Sequence, residues 1–212
     1  MKLYNKIRKA IVREDLSKGF ISSKVRKKAG ERLKTNYRKG DKILYVGCGE
    51  GLFLLPSAKK YTDSIHVGMD NWKKVIDYTR QRLIVEGIEN VRLKLSSGDS
   101  LPFDDGSFNH VFFLNAVHNQ KSIKEVKNII KEMLRVCAGG GKVYFDIRNK
   151  NNLIFRLFYR SLVILDSTKP IIKLQNKKIV KKIIEDMQYK EINFFPIDIF
   201  RTGYLAEITK QL

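Results

Sequence analysis

The stretch Ile43-Leu44-Tyr45-Val46-Gly47-Cys48-Gly49-Glu50-Gly51 decides the fold. Its first four residues are an apolar run of strand type. Glycines at alternate positions then break the run, and a helix-compatible segment follows from Leu52 to Lys60, interrupted by Pro56. Strand, glycine turn and helix start are what a nucleotide-like ligand needs. Glycine turns the backbone with positive φ and lets a ligand approach without meeting a Cβ. The helix beyond offers unpaired N–H groups. The spacing, Gly-x-Gly-x-Gly, differs from the dinucleotide fingerprint Gly-x-Gly-x-x-Gly. A Walker loop would need Gly-Lys-Ser/Thr, and Gly51 is followed by Leu52. On this stretch alone, a glycine-rich connection without a ligand is the alternative.

Working outward, Ser64 to Met69 reads as a second buried strand ending at Asp70, about 20 residues past the glycines, where an acid can accept bonds from two ribose hydroxyls. The alternative for Asp70 is a cap on the helix that starts near Trp72, with position and strand context favouring the ribose role, and Trp72 could lie against an adenine or equally in the core. That helix runs to about Glu86 and ends at Gly87; Asn90 to Leu95 is a third strand. His110 to Asn115 is a fourth strand, leading into Ala116-Val117-His118-Asn119. Apolar residues from Ile123 to Cys137 recur at helical spacing, Gly139-Gly140-Gly141 reads as the helix cap, and Lys142 to Ile147 is a fifth strand. Glu191 to Phe195 and Tyr204 to Thr209 alternate and read as an antiparallel pair around a turn containing Gly203. Alternating strands and helices predict a parallel α/β sheet.

Two stretches carry a family resemblance. The glycine turn resembles motif I of the class I S-adenosylmethionine (SAM)-dependent methyltransferases, commonly Leu-Asp-x-Gly-Cys-Gly-x-Gly. Leu101-Pro102-Phe103-Asp104-Asp105-Gly106-Ser107-Phe108 is similar to their Leu-Pro-Phe-x-Asp-Gly-Ser-Phe-Asp signature. The resemblance is to a methyltransferase type 11-like domain and covers about residues 40 to 147. It implies a Rossmann-like, doubly wound, mostly parallel seven-stranded sheet with an antiparallel last strand. It also implies SAM as cofactor, held by Gly47, Cys48, Gly49, Gly51, Asp70, Asn71, Ser97, Gly98, Asp99 and Asn115. Ser97 stands at the family's adenine-facing acid position and Asp99 lies slightly out of register, so either could accept the amine bond. Tyr45 replaces the motif I acid that helps hold the methionine ammonium, with Glu50 as a substitute charge, and Asn109 replaces an acid common at the start of strand four.

The implied reaction is in-line methyl transfer with a neutral leaving group, so no metal is required and positioning carries much of the catalysis. A base is needed only for a neutral hydroxyl or protonated amine. His118, after strand four, is the candidate base, with a satisfied loop histidine as the plain alternative. The Asn/Asp-Pro-Pro-Tyr motif for exocyclic nitrogens is absent, with Asn115-Ala116-Val117-His118 in its place, and no Pro-Cys nucleophile appears.

The 212 residues suit one domain, here divided into a basic helical extension over 1–39 and a methyltransferase domain over 40–212, with a variable substrate-side segment at 148–190. The formal net charge is +20, which suits RNA or an anionic membrane surface, or reflects lysine-rich composition. Leu3, Ile7, Ala10 and Ile11 make a short basic amphipathic helix, and Leu153 to Leu165 an apolar lid or a core helix. Two cysteines without metal-ligand spacing suggest no metal site and a reducing cytoplasm, with the protein cytoplasmic or peripheral to the inner face of the membrane. The function expected is methyl transfer to a small-molecule or lipid-linked acceptor. The alternatives are an RNA methyltransferase and a non-catalytic protein of the same fold.

Overall fold

The computed structural model describes residues 20–120, 122–153, 156–157, 176–189 and 191–211. The basic helix expected over Leu3 to Arg13 and most of the segment Leu153 to Leu165 lie outside the described residues. The chain opens with α1 (Phe20–Asn36) and continues through β1 (Lys42–Val46), α2 (Leu54–Lys60), β2 (Ile65–Asp70), α3 (Lys73–Val85), β3 (Val91–Leu95) and β4 (Phe108–Phe113). A 3₁₀ turn (Val117–Asn119), α4 (Ile123–Val136), β5 (Cys137–Arg148), α5 (Lys177–Glu185), β6 (Ile192–Pro196) and β7 (Gly203–Thr209) complete it.

The seven strands lie in the order β3-β2-β1-β4-β5-β7-β6. The first five are parallel, and β7 runs antiparallel to both β5 and β6. Alternation along the central strands feeds two cores. Leu44, Val46, Val111, Phe113, Val143 and Phe145 pack against Val126, Ile130 and Met133 of α4 and Val180 and Ile184 of α5. On the other face Ile43, Tyr45, Phe112 and Tyr144 pack against Val25, Ala29 and Leu33 of α1 and Leu54, Leu55 and Ala58 of α2. Each Val, Leu, Ile, Phe or Met among them contributes about 1.5–3 kcal/mol when fully buried. The four-residue spacing of Val25, Ala29 and Leu33 places them on one stripe of α1, so this helix is a cover of the sheet.

Ion pairs add a second tie. Arg32 donates to Glu207 from Nε (2.8 Å) and Nη2 (3.0 Å), and Lys142 approaches the same buried carboxylate at 3.4 Å.

The glycine run Gly139-Gly140-Gly141 does not cap α4. Cys137 is already extended at the helix end, and β5 passes through the glycines. Phe108 pairs with Cys137 while His110 pairs with Lys142, so the extra residues of β5 bulge. Gly140 has φ +74°, and a Cβ on Gly141 would lie 2.8 Å from the Asn109 carbonyl and 2.9 Å from that of Ala138. Only glycine permits that approach. Gly203 is likewise the first residue of β7, paired with Arg148, rather than part of the turn before it.

That turn, residues 197–202, is tied from inside. The Asp198 carboxylate accepts from the Thr202 N–H (3.0 Å) and hydroxyl (2.5 Å), and from Lys24 of α1 at 3.5 Å. Asn149 Nδ2 donates to the Arg201 carbonyl (2.8 Å) and Asn152 Nδ2 to that of Phe200 (2.6 Å).

Candidate active site

At the carboxyl ends of β1, β2 and β4 the sheet opens into a cleft of about 550 Å³. This is where parallel sheets bind ligands, and the size is that of a small-molecule site. Gly47, Gly49 and Gly51 have φ of +63°, +53° and +74°. Cys48 N–H donates to the Met69 carbonyl (2.9 Å) and Gly51 N–H to that of Cys48 (3.0 Å), closing the turn after β1. A Cβ on Gly49 would meet nothing within 4 Å, so its face is open. α3 clamps the turn from outside: Thr79 Oγ1 donates to the Gly49 carbonyl (2.9 Å) and Arg82 Nη1 to that of Glu50 (2.8 Å). Nothing in the sequence around Thr79 or Arg82 singles them out.

Asp70 ends β2 on the cleft wall. Its Oδ2 accepts from Gly49 N–H and its Oδ1 from Trp72 N–H, both at 3.0 Å. The second bond is an Asx turn at the start of α3. A carboxylate has about four acceptor positions, so two remain. Asn71 and Trp72 line the cleft beside it, and Trp72 is 47% exposed. Ser97, Gly98 and Asp99 line the wall after β3. Ser97 and Asp99 are both exposed there.

Tyr45 lines the cleft, yet its hydroxyl is committed inward, 2.9 Å from His66 Nδ1, while His66 Nε2 lies 3.1 Å from the Tyr61 carbonyl. Burial raises the Tyr45 phenol and lowers the His66 imidazole, so both stay neutral and β1 brings no charge to the cleft. Arg26 of α1 and Glu50 supply opposite charges to the wall instead. Cys48 also lines it. Burial pushes its thiol up, so it is a small apolar surface there and not a thiolate. Gly51 is not on the wall; a Cβ there would lie 2.1 Å from Leu55 Cδ1 and 3.2 Å from Thr79 Cγ2, so its place in the turn is a packing requirement.

Asn115 lines the cleft beyond β4 with φ +57°. Its N–H donates to Asp146, its Oδ1 accepts from Arg148 Nη2 (2.8 Å), and its Nδ2 donates to the Ser22 carbonyl (3.4 Å). Arg148 Nη1 in turn donates to Asp146 Oδ2 (2.8 Å) and Nη2 to Ser22 Oγ (3.1 Å). Asp146 is 0% exposed and Arg148 2%. This buried pair thus holds the left-handed residue and the first turn of α1 together.

His118 is not on the cleft wall. The 3₁₀ turn after Asn115 buries it, with Nδ1 lacking a partner among the described residues. Burial, then the Arg148 charge, pushes its pKa from the ordinary 6.5 down to about 4. The position expected for a base is therefore occupied by a neutral, enclosed imidazole. Between those pH values the unfolded chain binds a proton that the folded chain refuses, so stability falls as pH drops from 6.5 toward 4. For His118 that loss is up to about 3 kcal/mol. His118→Leu should flatten the fall in urea midpoint between pH 7 and 4.5; an unchanged slope would show that His118 does not contribute.

Comparison with known proteins supplies the family. The methyltransferase domain family matches residues 44–145. Residues 44–145 form a methyltransferase domain of the class I SAM-dependent family. The chain is 33% identical over 110 residues to a demethylmenaquinone methyltransferase of Symbiobacterium thermophilum, covering 51% of this chain and 43% of that one. It is 27% identical over 126 residues to a tRNA (guanine-N(7)-)-methyltransferase of Streptococcus pneumoniae, covering 56% and 57%. The chain thus spans about half the length of the curated relatives it matches. In fold it resembles the magnesium protoporphyrin IX methyltransferase of Synechocystis, solved with bound S-adenosylhomocysteine (SAH), with a TM-score of 0.69 at 14% identity over 99% of this chain and 94% of that one. The methyltransferase domain fits the family's donor at its own residues: an open glycine face and a half-used carboxylate stand together at Gly49 and Asp70. Among the described residues no helix is long and apolar enough to cross a membrane.

Proposed function

We propose that this chain transfers the methyl group of SAM to a small-molecule or lipid-linked acceptor. The observation that carries the reading is Asp70: on the cleft wall, bonded to the glycine turn, with acceptor positions to spare. In this reading Asp70 accepts the ribose hydroxyls, and the open face of Gly49 admits the donor without a clash. Ser97, Gly98 and Asp99 border the adenine, with Trp72 along one side. Arg26 and Glu50 face the two charged ends of the methionine part. SAM supplies an activated methyl on a sulfonium. Asn115 and Ala116 wall the space beyond β4 where an acceptor enters.

Among the described residues no histidine lines this cleft, and its carboxylates are Glu50, Asp70, Asp99 and Glu125. The relative named for demethylmenaquinone supports a small lipid-like acceptor. The net charge of +20 and the relative named for a tRNA guanine support RNA as the second reading.

Calorimetry with SAM and SAH tests the donor site, and a screen of quinol-type and RNA acceptors separates the two readings. Trp72 is the chain's single tryptophan, so SAH should shift its emission, and Trp72→Phe should silence the signal while binding heat persists. Heat without any change in emission would remove Trp72 from the adenine side. Absence of binding to either ligand would overturn the enzymatic reading.

A further inference from the structure

We infer that the turn between β6 and β7, together with the segment after β5, docks this protein on an anionic lipid surface. Ile199 and Phe200 form the apex of the turn and are 88% and 64% exposed. Their exposure is built into the turn. The hydrogen bonds of Asp198 with Thr202, and of Asn149 and Asn152 with the carbonyls of Arg201 and Phe200, hold the backbone while the two side chains stay exposed. The Asn152 bond brings the start of the next segment alongside, where Leu153 and Leu157 are 61% and 58% exposed. Large side chains gathered on one projection are unusual on a free surface and mark an interaction site.

The charge around them selects the partner. Lys150, Arg156 and Arg201 are exposed between the apolar groups, and among the described residues no acidic side chain forms an ion pair with any of them. The nearby acid, Asp198, is occupied by Lys24 and Thr202. Exposed apolar side chains with cations as their chain neighbours match a soft interface with an anionic headgroup layer and an apolar interior. A turn of residues 197–202 offers little area to a protein partner, which needs a broad complementary patch.

Position gives the docking a use. Arg148 ends β5 and pairs with Gly203, so the turn lies at the rim of the sheet where the cleft opens. Docked there, the cleft faces an acceptor that never leaves the bilayer. This use rests on the proposed lipid-linked acceptor; the docking itself does not.

The test is co-sedimentation of the full chain with vesicles of phosphatidylcholine alone and of phosphatidylcholine mixed with phosphatidylglycerol, beside Ile199→Ser/Phe200→Ser and Lys150→Glu/Arg201→Glu variants. The parent should bind the anionic vesicles and not the neutral ones. The serine variant should bind about tenfold more weakly per side chain withdrawn from the apolar layer, with its thermal midpoint unchanged. The charge variant should lose the preference for phosphatidylglycerol. Equal binding by parent and serine variant overturns the proposal. So does parent binding to RNA, or a parent dimer by ultracentrifugation, that the serine variant abolishes without any effect on vesicles. SAH calorimetry on the same samples keeps the readings apart. Vesicle binding without SAH binding sinks the donor site and leaves the docking. SAH binding without vesicle binding does the reverse.

Discussion

Asp70→Ala should weaken binding of both SAM and SAH by on the order of a hundredfold, read by calorimetry. Charged hydrogen bonds to a carboxylate are worth about 1.5–3 kcal/mol each, and a factor of ten in affinity is about 1.4 kcal/mol. The loss of ribose contacts alone therefore reaches that size. The substitution also releases the Gly49 and Trp72 N–H groups from the carboxylate that now orders them, which loosens the turn that the ligand must meet. Asp70 is only half-buried, so the thermal midpoint should move little. Asp70→Asn keeps one acceptor and should fall between. Parent-like affinity in the alanine variant would remove Asp70 from the donor site and take the proposed function with it.

The second large effect is on stability. Arg148→Met leaves Asp146 fully buried and without its cation. Breaking a buried pair from one side costs about 3–5 kcal/mol, which for a chain of this size lowers the thermal midpoint by roughly 10 °C. Replacing both members, Asp146→Leu with Arg148→Met, should cost less than either single change, because no unpaired charge remains. Urea unfolding of the four proteins completes the cycle. Additive losses would show that the two residues act independently. Asn115 gives a second readout: without Arg148 its side-chain oxygen loses a 2.8 Å bond and its left-handed backbone one of its supports, so SAH affinity should drop along with stability.

The frame of the fold was legible because it rests on short-range patterns. Ile43 to Val46 followed by alternate glycines, Asp70 at the end of a second apolar run, and the alternation of Tyr204 to Thr209 each name their element locally. The misreadings have physical causes. A glycine run after a helix ordinarily caps it, and only the close carbonyls of Asn109 and Ala138 make Gly139–Gly141 a strand bulge. His118 sits in sequence just after strand four, but one 3₁₀ turn suffices to bury it. The substitution of Tyr45 for an acid becomes intelligible once its hydroxyl is seen against His66, 21 residues away. Asp146 and Arg148 carry no local signal, since their partners Ser22 and Asn115 come from other parts of the chain.

The bond from Arg32 to Glu207 joins residues 175 positions apart. On the ribosome, at about 5–20 residues per second, α1 waits roughly ten to thirty seconds for that carboxylate to be synthesised. During the wait the helix has its packing on β1, β4 and β5 and its bond from Arg148 to Ser22, but not this ion pair. The nascent protein therefore passes through an interval with its central strands and their helical cover made and the Arg32–Glu207 tie still absent.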